Sequence, residues 1–185
     1  MAMKMKFYLL ILLLPFGTAS LSAQSTAHAT PTVNAIHVLP AVLVKDMAGH
    51  AVSTSDFEND GKPIILSFWA TWCKPCILEL NTIQEGFEDL AEETGVKLIA
   101  VSIDDARNAH KVAPFVQVRE WPYEVYIDEN SDLKRAMSVN NVPHTFLLDG
   151  NREIVWNHNS FTVGDEEELF GLVRRLAKTG STEEH

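Results

Sequence analysis

Only two of the 185 residues are cysteines, Cys73 and Cys76, and they stand three positions apart. With no third cysteine there is no disulfide framework. A bridge across so short a loop removes little entropy from the unfolded chain, so stapling is a weak reason for the pair. Neither cysteine lies near the N-terminus, which excludes a lipid-modified N-terminal cysteine. Basic residues are scarce as well, 15 Lys and Arg against 25 Asp and Glu, for a net charge of −10. No basic patch is visible, which argues against a nucleic-acid partner. Long hydrophobic runs are missing: the N-terminal apolar stretch, residues 7–16, is about half of the roughly 20 residues that span a bilayer. Internal repeats and low-complexity blocks are absent after residue 40. No additional ligands at metal spacing flank the cysteine pair, and His50, His110 and His158 show none among themselves, so no metal is expected.

The first two dozen residues read as a secretory signal. Lys4 and Lys6 form its basic end, residues 7–16 its apolar core, and Ala19 and Ala23 offer alternative cleavage positions. The expected organisation is a signal peptide over 1–23, a flexible Ser-, Thr-, Ala- and Pro-rich linker over 24–39, and one domain over 40–185. The expected location is the periplasm, with a membrane tether through an uncleaved N-terminal segment as the alternative. Loss of Lys4 and Lys6 takes the net charge from −10 to about −12, read here as a solvated acidic surface. A composition of 46% hydrophobic and 22% charged residues is that of a globular domain.

The pattern after residue 40 alternates strands and helices. Short strands are expected at 41–44 and from Val52, with a helical turn at Ser55. The run from Pro63 to Trp69 is continuously apolar, as in a central strand covered on both faces. A helix follows Cys73 and stops at Gly95. Further strands are expected at 96–103 and 123–127, and helices at 105–120, where Pro114 should kink or break the helix, and at 131–139. Asp149-Gly150-Asn151 between two apolar segments signals a hairpin, and 165–177 a closing helix with acidic residues first and basic residues last. The fold class expected is α/β with a mixed central sheet.

The cysteine pair sits where a strand hands over to a helix. There the helix dipole and unpaired N–H groups stabilise a thiolate on Cys73, helped by the charge of Lys74. Cys73 is expected to expose its sulfur and act as the nucleophile. Cys76, one turn inward, is expected to be more buried and to resolve the mixed disulfide. Pro75 occupies an early helix position that needs no N–H. On a helical wheel Glu79 falls roughly 70° from the centre of the apolar stripe of Leu80, Ile83, Phe87 and Leu90. Three residues beyond Cys76, it reads either as a proton-exchange partner of that thiol or as an ordinary charge at the apolar boundary.

Two segments carry a resemblance to a known family: Phe68-Trp69-Ala70-Thr71-Trp72-Cys73-Lys74-Pro75-Cys76 and Val139-Asn140-Asn141-Val142-Pro143-His144-Thr145-Phe146. They resemble the thioredoxin fold, and within it the exported TlpA/ResA-like thiol-disulfide oxidoreductases, over roughly residues 38–178. The resemblance implies a three-layer α/β/α domain with an N-terminal β-hairpin extension. It implies a cis peptide before Pro143, which the dipeptide alone does not, since only about 5–6% of X-Pro bonds in folded proteins are cis. It implies that the backbone of Val142 pairs with an extended client segment, beside a surface made by Trp72, Lys74, Pro75, Pro143 and His144. His144 reads more plainly as a half-exposed loop histidine than as a pH-sensitive group near the sulfurs. An acidic residue three positions after the second cysteine is associated in this branch with proton exchange, which sets that role for Glu79 level with the boundary charge.

Ser67 departs from thioredoxins proper, which carry a buried Asp there; proton management by that Asp is absent, which adds weight to the proton-exchange role of Glu79. Asn81 departs from a proline frequent in the family. The function implied is reduction of disulfides in client proteins, with cytochrome c maturation as the family precedent. Electrons would come from a membrane or thiol-carrier donor, with no cofactor in the domain and a monomer as the default. The alternatives are a thiol peroxidase, a disulfide-forming oxidase, or a copper chaperone.

Overall fold

Alternation of side chains along the central strands sets the architecture. The computed structural model describes residues 38–180. The expected signal peptide, and the linker as far as residue 37, lie outside the described residues. The strands are β1 (Leu43–Lys45), β2 (Ala51–Ser53), β3 (Ile64–Trp69), β4 (Lys97–Ser102), β5 (Glu124–Ile127), β6 (His144–Leu148) and β7 (Ile154–Asn159). The helices are α1 (Lys74–Thr94), α2 (Val112–Arg119), α3 (Asp132–Ala136) and α4 (Asp165–Gly180), with single 3-10 turns at Thr54–Asp56 and Ala109–Lys111. The seven strands form one sheet in the order β2-β1-β5-β4-β3-β6-β7. β3, β4 and β5 run parallel, while β6, β7 and the β1–β2 hairpin pair antiparallel. This is the mixed α/β sheet with an N-terminal hairpin that the pattern predicts.

All six residues of β3 are buried, because both faces of the sheet are covered. Successive side chains point to opposite faces. Ile65 and Trp69 enter one core with Cys76, Leu80 and Ile83 of α1, Val112 and Val116 of α2, and Leu169 and Val173 of α4. Ile64, Leu66 and Phe68 enter the other, with Leu133 of α3, Met137 and Phe57. Helices α1 and α4 pack closely because Gly86 has no side chain; a Cβ there would come within 2.8 Å of Phe170 Cε2. Helix α1 ends on Gly95, whose φ of 67° is left-handed and whose N–H donates to the Ala91 carbonyl.

Two local expectations are corrected. Val38 forms a bridge with Glu153, and buried Leu39 donates its N–H to the Arg152 carbonyl at 3.0 Å. The last two residues assigned to the linker are thus held by the sheet and by an apolar side chain that finds the core. Pro114 neither kinks nor breaks a long helix. The segment opens with turns, and α2 begins at Val112. Pro114 then falls in its first turn, where a backbone N–H has no acceptor to lose.

Candidate active site

Strand β3 ends at Trp69 and a three-residue turn carries the chain to Cys73, the N-cap of α1. Cys73 and Cys76 are joined by a disulfide, with Cα atoms 5.3 Å apart. The Cys76 N–H donates to Cys73 Sγ at 3.3 Å. That N–H is one of the first-turn donors without an intrahelical acceptor, and it is aimed at the atom that would carry negative charge once the bridge is reduced. Pro75 stands in the same turn without cost, since its missing N–H is not needed there.

Cys73 is less open than expected, with 5% relative exposure against 0% for Cys76. Trp72 is 63% exposed, and Lys74 and Pro75 are also at the surface, so these residues form the rim beside the one cysteine that keeps some surface.

Glu79 is not at the apolar boundary where the wheel puts it. It is 4% exposed, inside the core between α1 and the sheet. Ser67 of β3 and Thr145 of β6 are direct cross-strand partners. Both belong to the alternation that faces α1, as do Ile65, Trp69 and Leu147. Ser67 Oγ donates to Glu79 Oε2 at 3.1 Å, and Thr145 Oγ1 donates to Glu79 Oε1 at 2.7 Å. Two adjacent hydroxyls on the sheet thus make a seat for one carboxyl on the helix above. Burial dominates the electrostatics, raising the Glu79 pKa from 4.5 to about 7 against the opposing effect of the two hydrogen bonds. A carboxyl that changes charge near neutrality therefore sits one helical turn from Cys76.

The Val142–Pro143 peptide bond is cis, and Pro143 is buried. Half-buried Val142 packs against the core that contains both cysteines. His144 takes the other direction. Its ring stacks on Phe146 with centroids 4.3 Å apart, on the face of Phe68, Leu66 and α3. Nε2 of His144 bonds to Asn157 Oδ1 at 3.2 Å, and burial holds its pKa below the ordinary histidine value. Strand alternation explains why Thr145, and not His144, reaches the carboxyl.

Residues 36–157 match the AhpC/TSA family. The chain belongs to that family. Among its AhpC/TSA-like relatives, a thiol-disulfide oxidoreductase ResA from Bacillus cereus is 30% identical over 139 residues, 74% of this chain and 75% of the relative. A ResA from Geobacillus kaustophilus is 31% identical over 115 residues, 62% of this chain. There the match spans 63% of the relative, a little under two thirds of its length. A solved structure of an uncharacterized thioredoxin-like protein from Porphyromonas gingivalis is 53% identical with a TM-score of 0.70, covering 77% of this chain and 93% of that one. The fold is thioredoxin-like.

One residue of this AhpC/TSA site escapes the sequence reading. Asp104, just past β4, is fully buried and receives the Thr71 N–H at 2.8 Å, the Thr71 hydroxyl at 2.7 Å and the Ser102 hydroxyl at 2.7 Å. It ties down the turn that presents Trp72 and Cys73. The only signal in the sequence is an acidic residue closing an apolar strand, which is common in loops that carry no such role. Asp104→Ala leaves buried donors unpaired and is expected to lower stability by about 3 kcal/mol, measured by urea unfolding. Asn81 has a use too: its Oδ1 accepts the Trp121 indole N–H at 2.9 Å, fixing a ring that packs edge-on against Trp69 at 5.0 Å. Among the described residues, no group of three or more His, Cys, Asp or Glu side chains is placed to hold a metal ion.

Proposed function

We propose that this chain is an exported thiol-disulfide oxidoreductase that reduces disulfides in client proteins. The observation that carries the reading is the Cys73–Cys76 disulfide at the start of α1, with Glu79 buried one turn behind it. In the reduced protein the Cys73 thiolate attacks one sulfur of a client disulfide. A mixed disulfide forms and the other client sulfur leaves as a thiolate. Glu79 as a carboxylate takes the proton from Cys76, whose thiolate then attacks Cys73 Sγ. The second client thiolate leaves, and the pair returns to the bridged state. Two electrons have passed to the client, and a dithiol donor restores them by the same exchange in reverse.

The first turn of α1 supports the attack by holding an N–H on Cys73 Sγ. The exposed Trp72, Lys74 and Pro75, with the Val142 backbone opposite, offer the client an apolar rim and a strand edge. The clients proposed are of the haem-attachment type, with two closely spaced cysteines in an extended segment. Export rests on the basic and apolar N-terminal residues; among the described residues no helix is long and apolar enough to cross a membrane.

The test is the equilibrium reduction potential of the pair, followed by Trp72 fluorescence in a dithiothreitol series. A value close to about −270 mV is expected for a reductase, and one close to about −120 mV would make the protein an oxidant of exported thiols instead.

A further inference from the structure

A buried carboxyl that gives up and recovers a proton in each turnover needs a way to exchange it with water. On the sulfur side little surface is available: Cys76 is fully buried, Cys73 is 5% exposed and Pro143 is buried. On the opposite side Glu79 and Thr145 line a small cavity, about 10 Å³, whose outer wall is Trp156, His158, Asp165 and Glu166. That is about the room one water molecule needs, with the Glu79 carboxyl and the Thr145 hydroxyl as its polar groups in a lining completed by the apolar Ile83, Phe161 and Leu169. The outer wall is half-open. His158 and Asp165 both keep 38% of their side-chain area exposed and face each other, Nε2 to Oδ2, at 3.5 Å. The Trp156 and His158 rings lie parallel and offset, with centroids 5.8 Å apart.

We infer that this crevice between β7 and the start of α4 is the proton route between Glu79 and solvent, with the His158–Asp165 pair as its outer station. The inference rests on the role proposed for Glu79 and adds the residues through which that role is exercised. The His158 imidazole has two ring nitrogens and stands at the surface beside the Asp165 carboxylate, a placement suited to passing a proton between the crevice and bulk water. The balance is simple: Glu79 receives the Cys76 proton, its carboxylic acid hands one proton to the crevice, and the carboxylate is restored for the next turnover.

The groups that face Glu79 are few. Cys76 lies on its own helix, Tyr123 precedes β5, His158 is on β7, and Asp165 and Glu166 are on α4. β3 and β6 contribute only the hydroxyls of Ser67 and Thr145. Tyr123 is held above its ordinary pKa by burial first and the Glu79 charge second, and its hydroxyl is engaged with the Leu80 carbonyl at 2.9 Å, so it is a poor carrier. Glu166 is committed to the Gly164 N–H at 2.8 Å. Asp165 adds a like charge that raises the Glu79 pKa, as a neighbour along the same path should.

The test uses the full chain and the infrared carboxylate band of Glu79, assigned by its loss in Glu79→Gln. A rapid pH jump across the Glu79 midpoint is followed in the wild type, His158→Gln and Asp165→Asn. The asparagine keeps an oxygen for the Thr162 N–H that Asp165 now caps, so the start of α4 is preserved. Expected are a severalfold slower response of the band in both variants and a lower midpoint in Asp165→Asn. Unchanged rates in both would overturn the route and send the proton out by the sulfur face. Because this readout does not depend on client reduction, it stands apart from the role of Glu79 in turnover. That role fails on its own if Glu79→Gln leaves the pH profile of mixed-disulfide resolution unchanged.

Discussion

Insulin disulfide reduction is expected to vanish in Cys73→Ser, while Cys76→Ser still attacks and then stops with client bound through Cys73. The asymmetry follows from position. Cys73 is the N-cap, and the first-turn N–H of Cys76 is aimed at its sulfur, so the stabilised thiolate forms there. Serine has no accessible anion near neutrality and cannot open a disulfide. Cys76 has no surface at all, so no client sulfur reaches it, but it is bonded to Cys73 and in reach of a mixed disulfide there. Mass spectrometry of the Cys76→Ser protein with a disulfide-bearing peptide should show a stable adduct at Cys73. Equal activity of the two single variants, or an adduct formed through Cys76 in Cys73→Ser, would exclude this order of attack.

Much of this arrangement is legible in the residues because it rests on local rules. The continuous apolar run of β3 announces a strand covered on both sides, and all six of its residues are buried. Gly95 ends α1 where a left-handed residue is needed, and Asp149-Gly150-Asn151 turns β6 into β7. What a helical wheel does not reveal is what waits on the sheet beneath. It places Glu79 at the edge of the apolar stripe, whereas the register that pairs Ser67 with Thr145 sets two hydroxyls under it and draws the carboxyl inside. Register between strands about 80 residues apart is a long-range property, and no window of sequence contains it. Asp104 is missed for the same reason, since its partner Thr71 lies 33 positions away. His144 shows the converse: adjacency to Pro143 suggests nearness to the sulfurs, and the two-residue alternation of β6 turns its ring to the other core.

Glu79→Gln is expected to stabilise the oxidised protein, and to do so only at neutral and higher pH. The folded state holds the Glu79 pKa up at about 7, against 4.5 for the unperturbed group, chiefly by burial. Below the lower value both folded and unfolded chains carry the proton, and the carboxyl costs nothing extra. As pH rises through this window the unfolded chain releases its proton first, so unfolding is favoured progressively. Above about pH 7 both states are ionised and the full penalty is present, on the order of 3 kcal/mol from the size of the shift. Glutamine has the same shape, can hydrogen-bond to the Ser67 and Thr145 hydroxyls, and has no charge to bury. Urea unfolding of the two oxidised proteins should therefore give similar stabilities at the acid end and a growing advantage for the variant toward pH 8. A difference independent of pH would mean that Glu79 does not titrate in this window, and with it would go the reason for placing a proton acceptor behind Cys76. If the pH-dependent gain is found, it measures what the fold gives up to keep an ionisable carboxyl in its core. The same substitution should slow resolution of the mixed disulfide, since the group that destabilises the resting protein is the one proposed to take the Cys76 proton.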